Sequence, residues 1–320
     1  MDYIKVADIG SYYIGGKKVT ISGGKPFYAK LVDGWKEPMK YSPDGEYQTG
    51  QMYVQYTRLA DPKCPYPVCL IHGGGLCGAM WERTLDNRPG WAFRFLQNGY
   101  HINISDGCDR GRSSWSRYPE INTQPPFFRT YEEAWATFRL GKEYPTHYEG
   151  IRFDLGQFDN FMKQQVPRFP ASASVADAAY ESYFAKMSRE GGYILLAYSE
   201  GGLFALRAAL KHPENIKAII LVESTSTLDV DTTDVSLLKN IPILHIWGDY
   251  VSGDFPWAAN YAFEDTMRRF HEKIIEMGGD STWLHLPSIG IKNNTHALIV
   301  EDNSDEIFNI VLQWLRAHSL

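Results

Sequence analysis

Tyr193-Ile-Leu-Leu-Ala-Tyr-Ser-Glu-Gly-Gly-Leu-Phe-Ala-Leu-Arg-Ala-Ala-Leu210 is the stretch that decides the fold. The apolar run 193–197 predicts a buried strand, and residues 203–210 predict a helix. Ser199 stands on the few residues between these two elements. The stretch therefore predicts a strand, a sharp turn and a helix, with a serine hydroxyl presented above the strand end.

The residues around Ser199 suit a tight turn. Gly201 and Gly202 carry no side chain that would collide with neighbouring backbone. The amide of Glu200 then points to where an oxyanion would form beside the serine. The run Ala197-Tyr-Ser-Glu-Gly201 resembles the G-x-S-x-G nucleophile elbow of the α/β-hydrolases, with alanine in place of the first glycine. A polar turn with only a structural role would show the same residues. The rest of the sequence has to distinguish between a nucleophile elbow and such a turn.

Composition narrows the classes of protein to consider. The chain has 320 residues, 44% of them hydrophobic, which is enough for one large α/β domain with an insertion. A net charge of −6 and the absence of a long Lys/Arg run argue against nucleic-acid and membrane partners. No stretch approaches the roughly 20 apolar residues of a membrane span. Residues 1–10 lack a basic start followed by an apolar core, so we expect a cytoplasmic protein, although a mature secreted form would look the same.

The cysteines give no sign of a metal site. Cys64, Cys69, Cys77 and Cys108 form no C-x-x-C pair and no His/Cys cluster with zinc spacing. We therefore expect neither a metal nor another cofactor. Cys64 and Cys69 are close enough in sequence to bridge across a short loop, although free thiols fit a chain without an export signal.

The first part of the chain predicts strands that open a sheet. Residues 1–61 mix strand-like runs with turns, and the run 51–58 alternates apolar and polar side chains as a half-exposed strand does. We expect these strands to pair antiparallel. Residues 38–50 are rich in turn formers and predict a surface loop.

A glycine cluster follows the next apolar strand, in Tyr66-Pro-Val-Cys-Leu-Ile-His-Gly-Gly-Gly75. Consecutive glycines let backbone amides face a ligand at close range, and His-Gly-Gly-Gly is the type found after this strand in lipases and esterases. We assign Gly74 and Gly75 as backbone donors of an oxyanion hole, with Leu76 as an alternative. His72 is expected to hold the loop by hydrogen bonds.

Residues 91–99 predict a helix that ends at a glycine, and residues 101–106 predict a short strand. A strand, helix and strand of this length imply parallel pairing. Residues 106–113 resemble the D-x-x-G-x-G-x-S loop of many α/β-hydrolases, and we expect their charges to tether that loop. The prediction is an α/β-hydrolase fold, with a mostly parallel central sheet flanked by helices.

From residue 114 to residue 170 the sheet-like periodicity gives way to Pro and aromatic residues. Such an insertion would emerge at the carboxyl ends of the parallel strands, where open α/β sheets bind ligands. We predict that residues 114–170 form a cap over the active site and that residues 1–113 and 171–320 form the core domain. The rings of the cap either line a pocket for a bulky or aromatic substrate or form a small core of their own.

Two carboxylates compete for the role of triad acid. Glu223 lies at the end of the predicted strand 216–224, and Asp249 lies at the end of the predicted strand 241–249. Both come after the serine and before the last histidine, in the order Ser, acid, His that this fold requires. The residues themselves therefore leave the choice open.

A closer resemblance favours one of them. The chain resembles the bacterial esterase 713-like group in Gly50-Gln-Met-Tyr-Val, in His72-Gly, in Trp81-Glu-Arg-Thr-Leu-Asp-Asn-Arg-Pro-Gly-Trp91 and in an elbow without the leading glycine. In that group the acid is a glutamate after the strand that follows the elbow, which implies Glu223 here. The resemblance also implies a homodimer.

The general base is expected to be His296. It follows the predicted strand 283–287 and the loop 288–295, and it precedes a helix predicted for residues 304–317. A histidine after the last strand is where this fold delivers its base.

Ser199, His296 and Glu223 together predict a cofactor-independent serine hydrolase that cleaves small-molecule carboxylic esters or lactones through an acyl-enzyme. An amidase or peptidase would use the same triad, and a ligand-binding receptor built on this scaffold would also retain it.

Overall fold

A computed structural model of the chain describes residues 3–116, 118, 121–169, 173–225, 228–251 and 261–320. The described residues form the strands β1 (Val6–Ile21), β2 (Phe27–Ala29), β3 (Met39–Tyr41), β4 (Gly45–Leu59), β5 (Cys64–Ile71), β6 (Tyr100–Asp106), β7 (Tyr193–Tyr198), β8 (Ile216–Val222), β9 (Ile243–Trp247) and β10 (Ser281–His285). They also form the helices α1 (Trp91–Gln97), α2 (Tyr131–Thr137), α3 (Phe158–Lys163), α4 (Ala173–Arg189), α5 (Gly201–Lys211), α6 (Tyr261–Glu276) and α7 (Ser304–Ala317).

Eight of these strands form one sheet, in the order β1-β4-β6-β5-β7-β8-β9-β10. The pairs β1–β4 and β4–β6 are antiparallel, and every neighbouring pair from β6 to β10 is parallel. The predicted antiparallel opening and the mostly parallel sheet are therefore confirmed. The two short strands β2 and β3 pair with each other.

Helices cover both faces of the sheet, and the side chains of β5 show why. Val68 and Leu70 belong to a hydrophobic cluster that includes residues of α1 and α7. Cys69 and Ile71 belong to a second cluster, which includes residues of α4, α5 and α6. Successive side chains of a strand point to opposite faces, so a strand that is buried on both faces has to be apolar throughout.

The strand order brings the predicted site residues to one edge of the sheet. β5, β7 and β8 are neighbours and parallel, so the residues that follow them share the carboxyl edge. His72, Ser199 and Glu223 come directly after these three strands. These three residues are far apart in the sequence, but the strand order brings them close together in space.

One local prediction is wrong. Residues 38–50 do not form a loop, because β3 occupies Met39–Tyr41 and β4 begins at Gly45. The pairing of β4 with β1 extends to Ile21 opposite Gly45. Backbone pairing with a distant strand overrides the turn-forming composition of this segment.

Residues 114–169 contain α2 and α3 and isolated bridges, such as the one between Phe127 and Arg168. The predicted end of the cap, at residue 170, lies outside the described residues, and the cap itself stays a prediction. All four cysteines carry free thiols. Among the helices described above, none is both long enough and apolar enough to cross a membrane.

Candidate active site

Ser199 lies on the tight turn between β7 and α5. Its backbone φ of +54° is left-handed, which is a strained conformation for a residue with a side chain. A Cβ at Gly201 would lie 2.5 Å from the His72 carbonyl oxygen, and a Cβ at Gly202 would collide with the Ser224 side chain. Both glycines are therefore required by close packing, and the turn holds the serine hydroxyl at the strand end.

His296 contacts the serine across 97 residues of sequence, with Nε2 2.9 Å from Ser199 Oγ. The His296 amide donates to the Phe138 carbonyl at 3.0 Å, and its own carbonyl accepts from the Tyr198 hydroxyl at 2.6 Å. The histidine is only 2% exposed. The ring is thus fixed between a core strand and the segment 114–169, with Nε2 in hydrogen-bonding range of the hydroxyl whose proton it would accept.

Glu223 contacts the other nitrogen of this ring. Glu223 Oε2 lies 3.0 Å from His296 Nδ1, and Glu223 Oε1 accepts from the Gly248 amide at 2.6 Å. Asp249 is engaged elsewhere, because its Oδ2 accepts from the Asn293 amide at 2.6 Å. Of the two carboxylates that the sequence left open, Glu223 is the one that the structure brings to the histidine.

Arg139 is a residue of this site that the sequence did not reveal. Its Nη1 donates to Glu223 Oε2 at 2.8 Å and its Nη2 donates to Glu223 Oε1 at 2.7 Å. Its Nε donates to the Asp249 carbonyl at 3.0 Å. Arg139 is 6% exposed and has a left-handed φ of +56°. No sequence motif surrounds Arg139. The sequence signals it only through the general rule that a buried carboxylate needs a cation nearby.

Burial and the neighbouring charges shift the pKa values of Glu223 and His296. Burial raises the pKa of the Glu223 carboxyl, but Arg139 and His296 outweigh burial and hold the pKa at about 2. Glu223 is therefore ionised at neutral pH. Burial, assisted by the positive charge of Arg139, lowers the pKa of His296 against the opposing effect of Glu223. The imidazole is then neutral at pH 7, which is the form that accepts a proton.

A second buried carboxylate holds the turn in front of His296. Glu301 Oε1 accepts from the Thr295 amide at 2.8 Å and from the Thr295 hydroxyl at 2.5 Å, and Oε2 accepts from Asn294 Nδ2 at 2.6 Å. Burial raises the pKa of Glu301 to about 7, against the lowering effect of these donors. Glu301 lies five positions after the histidine, and no sequence motif marks it either.

The predicted oxyanion donors differ in their availability. The Leu76 amide donates to the Gly73 carbonyl at 3.3 Å, so it is already engaged. The amides of Gly74, Gly75 and Glu200 donate no hydrogen bond within the described part of the chain. Gly75 has a φ of +73°, a conformation that favours glycine. These three amides are thus the candidates that remain free to bind an oxyanion.

His72 holds its own loop, as expected, and it also binds the loop after β6. His72 Nδ1 lies 2.8 Å from the Gly73 carbonyl oxygen, and His72 Nε2 accepts from the Gly107 amide at 2.8 Å. The tautomer protonated at Nδ1 satisfies both contacts. In the loop itself, Asp106 Oδ2 accepts from the backbone amide and from Nε of Arg112, at 2.7 and 2.8 Å. These contacts tether the loop and leave neither His72 nor Asp106 free for catalysis.

Five rings of the segment 114–169 pack against one another. Ring centroids lie 4.5 to 5.4 Å apart in the pairs Phe138–Phe161, Trp135–Phe158 and Phe153–Phe161. All five rings are at most 5% exposed, namely Trp135, Phe138, Phe153, Phe158 and Phe161. These rings belong to the hydrophobic cluster that includes residues of α1 and α7, so they extend the core of the molecule and do not form a separate core of the segment. Trp115 and Phe128 are the contrast, with 42% and 58% of their surface exposed.

Comparison with known proteins places these features in context. The family described as alpha/beta hydrolase fold matches residues 66–274. The "Probable secreted lipase phiG" of a fungal species (strain ATCC 74256) is 24% identical over 332 residues, covering 85% of this chain and 87% of that protein. A solved structure of a novel bacterial esterase is 26% identical with a TM-score of 0.83, covering 100% of this chain and 98% of that one.

Proposed function

Since the chain belongs to the α/β-hydrolase fold family and is a carboxylic ester hydrolase, we propose that it is a serine esterase whose catalytic residues are Ser199, His296 and Glu223. One observation carries this proposal. The contacts run without a break from Ser199 Oγ to His296 Nε2 at 2.9 Å and from His296 Nδ1 to Glu223 Oε2 at 3.0 Å. Because this fold hosts many reactions, the proposed mechanism rests on that geometry and not on the fold.

The first step is attack by the serine. His296 Nε2 takes the proton of the Ser199 hydroxyl as Oγ bonds to the carbonyl carbon of the ester. Glu223 is ionised, so it holds the Nδ1–H tautomer and balances the imidazolium that forms. Arg139 supports the same step indirectly, because its two hydrogen bonds fix the position of the carboxylate.

The carbonyl oxygen becomes an oxyanion in this step. We assign its binding to the amide of Glu200 and to the amides of Gly74 and Gly75, and loss of one such donor typically lowers kcat by ~10²–10³. The His296 imidazolium then protonates the leaving alcohol as the ester C–O bond breaks, which leaves an acyl group on Ser199. A water molecule then gives a proton to His296 and bonds through its oxygen to the acyl carbon. The bond between that carbon and Ser199 Oγ breaks as His296 returns the proton to Oγ, which releases the carboxylic acid and regenerates the serine.

We also propose that residues 114–170 act as a cap. The support is that the segment contributes the Phe138 carbonyl and the Arg139 guanidinium to the surroundings of His296. A bulky or aromatic substrate, expected from the same segment, has weaker support because five of its rings pack against one another. Deleting part of the segment should change the selectivity among esters more than the hydrolysis of a very small ester.

The location and the assembly of the protein stay predictions. The free thiols fit the cytoplasmic location expected from the sequence, whereas the fungal relative is named as secreted. Cell fractionation tests the location, and the elution volume in gel filtration tests the expected homodimer.

The test of the proposed function combines labelling with turnover. The protein is incubated with a fluorophosphonate, its mass is measured and the adduct is located by peptide mapping, with Ser199→Ala as control. Nitrophenyl esters of increasing acyl size are assayed in parallel. A Ser199 adduct together with many turnovers per molecule is the expected result. Failure of Ser199 to react would contradict the proposal, and nitroanilides cleaved as fast as the esters would favour an amidase.

A further inference from the structure

Three arginine side chains converge on Glu200, the residue after the proposed nucleophile. Arg110 Nη2 lies 3.5 Å from Glu200 Oε2, and Arg168 Nη2 forms a close ion pair with Glu200 Oε1. Arg129 Nη1 donates to the Gly74 carbonyl at 2.6 Å. We call these three residues the arginine cluster. It adjoins the loop that carries the proposed oxyanion donors.

Positive charge exceeds negative charge in the arginine cluster. Within the described part of the chain, Glu200 is the only carboxylate in ion-pairing distance of these guanidinium groups. Arg129 donates to two neutral oxygens, the Gly74 carbonyl and Gln165 Oε1 at 3.3 Å. Asp109 forms no ion pair with any of the three among the described residues. The cluster therefore has three cations and one ion-paired anion.

Much of this excess charge is withdrawn from water. The Arg110 side chain is 9% exposed and the Arg168 side chain is 32% exposed. Burial, together with the like charges of Arg168 and Arg110, lowers the pKa of Arg129 to about 10. A buried charge without a counter-ion is unfavourable, so binding of an anion in this place would be favourable.

A neighbouring donor also lacks an acceptor. Gln165 Nε2 is buried, and no residue in the described ranges accepts a hydrogen bond from it. The oxygen of the same amide group is held by Arg129. An anionic oxygen bound by Arg129 would therefore have a second, unsatisfied donor close by.

The arginine cluster lies next to the proposed reaction centre. A Cβ at Gly74 would lie 2.8 Å from Glu200 Oε2 and 3.3 Å from Arg168 Cζ. A Cβ at Gly75 would lie 2.6 Å from Arg129 Nη1. Two guanidinium groups therefore lie beside the glycine loop at which the ester carbonyl is proposed to bind.

We infer that the substrate is an ester that carries an anionic group, in its simplest form a carboxylate, which Arg129 and Arg168 bind beside Gly74 and Gly75. The inference rests on the proposed esterase function and names the substrate class of that site. Guanidinium groups pair with carboxylates through short, charge-assisted and often bidentate hydrogen bonds, which fix the position of the bound group. Arg110, the most buried of the three, adds its positive charge beside the same carboxylate, Glu200.

A matched pair of esters tests this inference. In 4-nitrophenyl hydrogen glutarate a carboxylate replaces the terminal methyl group of 4-nitrophenyl pentanoate, while the leaving group and the chain length stay the same. We expect kcat/KM to favour the glutarate ester by about tenfold or more at low salt. The preference should shrink as salt is added, because a partly exposed ion pair is screened. Equal kcat/KM values, or a preference for the pentanoate ester, would overturn the inference.

Substitutions within one ion pair sharpen the test. Arg168→Gln removes a cation and should lower the ratio of the two kcat/KM values by about tenfold, whereas Glu200→Gln removes the competing anion and should raise it. If the Arg168–Glu200 ion pair only stabilises the fold, both substitutions should change the ratio of the two kcat/KM values in the same direction. Arg152→Gln is the matched control, because Arg152 lies in the same segment, is 34% exposed and pairs with Asp302.

Equilibrium binding separates this inference from the proposed function. Glutarate is titrated into the Ser199→Ala protein in a calorimeter, so that no turnover is needed. Binding that weakens in Ser199→Ala/Arg168→Gln and persists in Ser199→Ala/Arg152→Gln supports the anion site, even if neither ester is hydrolysed. Absence of glutarate binding to the Ser199→Ala protein would overturn the inference and leave the Ser199 labelling result untouched.

Discussion

The sheet and the segment 114–169 meet at the same site, but they contribute different things to it. The sheet places Ser199 and Glu223 directly after parallel strands, where the sequence pattern reveals them. The segment contributes charge, through Arg139 on Glu223, the proposed triad acid, and through Arg168 on Glu200. The proposed reacting groups thus come from the part of the fold with strong local sequence signals, and their electrostatic surroundings come from a part with weak ones.

This difference predicts two kinds of mutational effect. Substitutions at the strand ends should cause the largest losses of turnover, because we propose that these side chains perform the reaction. Substitutions of the arginines of the segment should leave some turnover and change stability, selectivity or pH dependence. The experiments below test that division in order of decreasing effect.

Ser199→Ala should have the largest effect. Loss of the nucleophile is expected to lower kcat by on the order of 10⁶, as removal of a triad serine does elsewhere. Thr225→Ala is the matched control. It also removes a hydroxyl group, and Thr225 Oγ1 lies 3.5 Å from Ser199 Oγ. Steady-state hydrolysis of a nitrophenyl ester measures both. If Ser199→Ala kept activity within tenfold of the unaltered protein, the nucleophile would have to be sought elsewhere.

Glu223→Gln should come next. An amide cannot hold the Nδ1–H tautomer and balance the imidazolium as a carboxylate does, so kcat should fall by ~10⁴. Asp249→Asn should lower kcat far less, because Asp249 binds the Asn293 amide and does not contact His296. The same ester assay compares the two variants. A larger loss for Asp249→Asn would transfer the role of acid to the later strand.

The strand-end residues could be predicted because their signals are local. Buried strands are apolar runs, and the helix after His296 was predicted for residues 304–317, where α7 spans Ser304–Ala317. The choice between Glu223 and Asp249 could not be made from the residues. Two neighbouring parallel strands each end in a carboxylate, and the decision depends on where each carboxylate points.

Non-local contacts account for what the sequence left hidden. The ion pair of Arg139 with Glu223 spans 84 residues, and no spacing rule connects the two positions. A non-local contact also explains the wrong loop prediction for residues 38–50, because pairing with β1 extends β4 into this segment. A sequence shows what a segment prefers on its own and does not show which distant partner will override it.

Arg139→Met should affect stability more than any exposed arginine does. Its removal leaves the Glu223 carboxylate, which is fully buried, without its cation, at an expected loss of about 3–5 kcal/mol in the free energy of unfolding. Arg152→Met is the control, because the Arg152–Asp302 pair is exposed and such pairs contribute little. Urea unfolding measures both variants. Equal urea midpoints for Arg139→Met and Arg152→Met would show that Arg139 is not a structural counter-ion of Glu223.

The smallest expected effect concerns pH. Burial first, and then the positive charge of Arg139, lower the pKa of His296 below its ordinary value of 6.5. The acidic limb of kcat/KM reports the free enzyme's base, so activity should persist below pH 6.5 and be lost as the imidazole becomes protonated. In Arg139→Lys the cation is kept and the limb should stay in place. In Arg139→Met, if the variant folds, the limb should move to higher pH, because protonation of His296 no longer opposes a neighbouring guanidinium 3.4 Å from Nδ1. A limb below pH 6.5 that does not move in Arg139→Met would show that Arg139 does not lower the pKa of His296, and burial and Arg129 would remain as the causes.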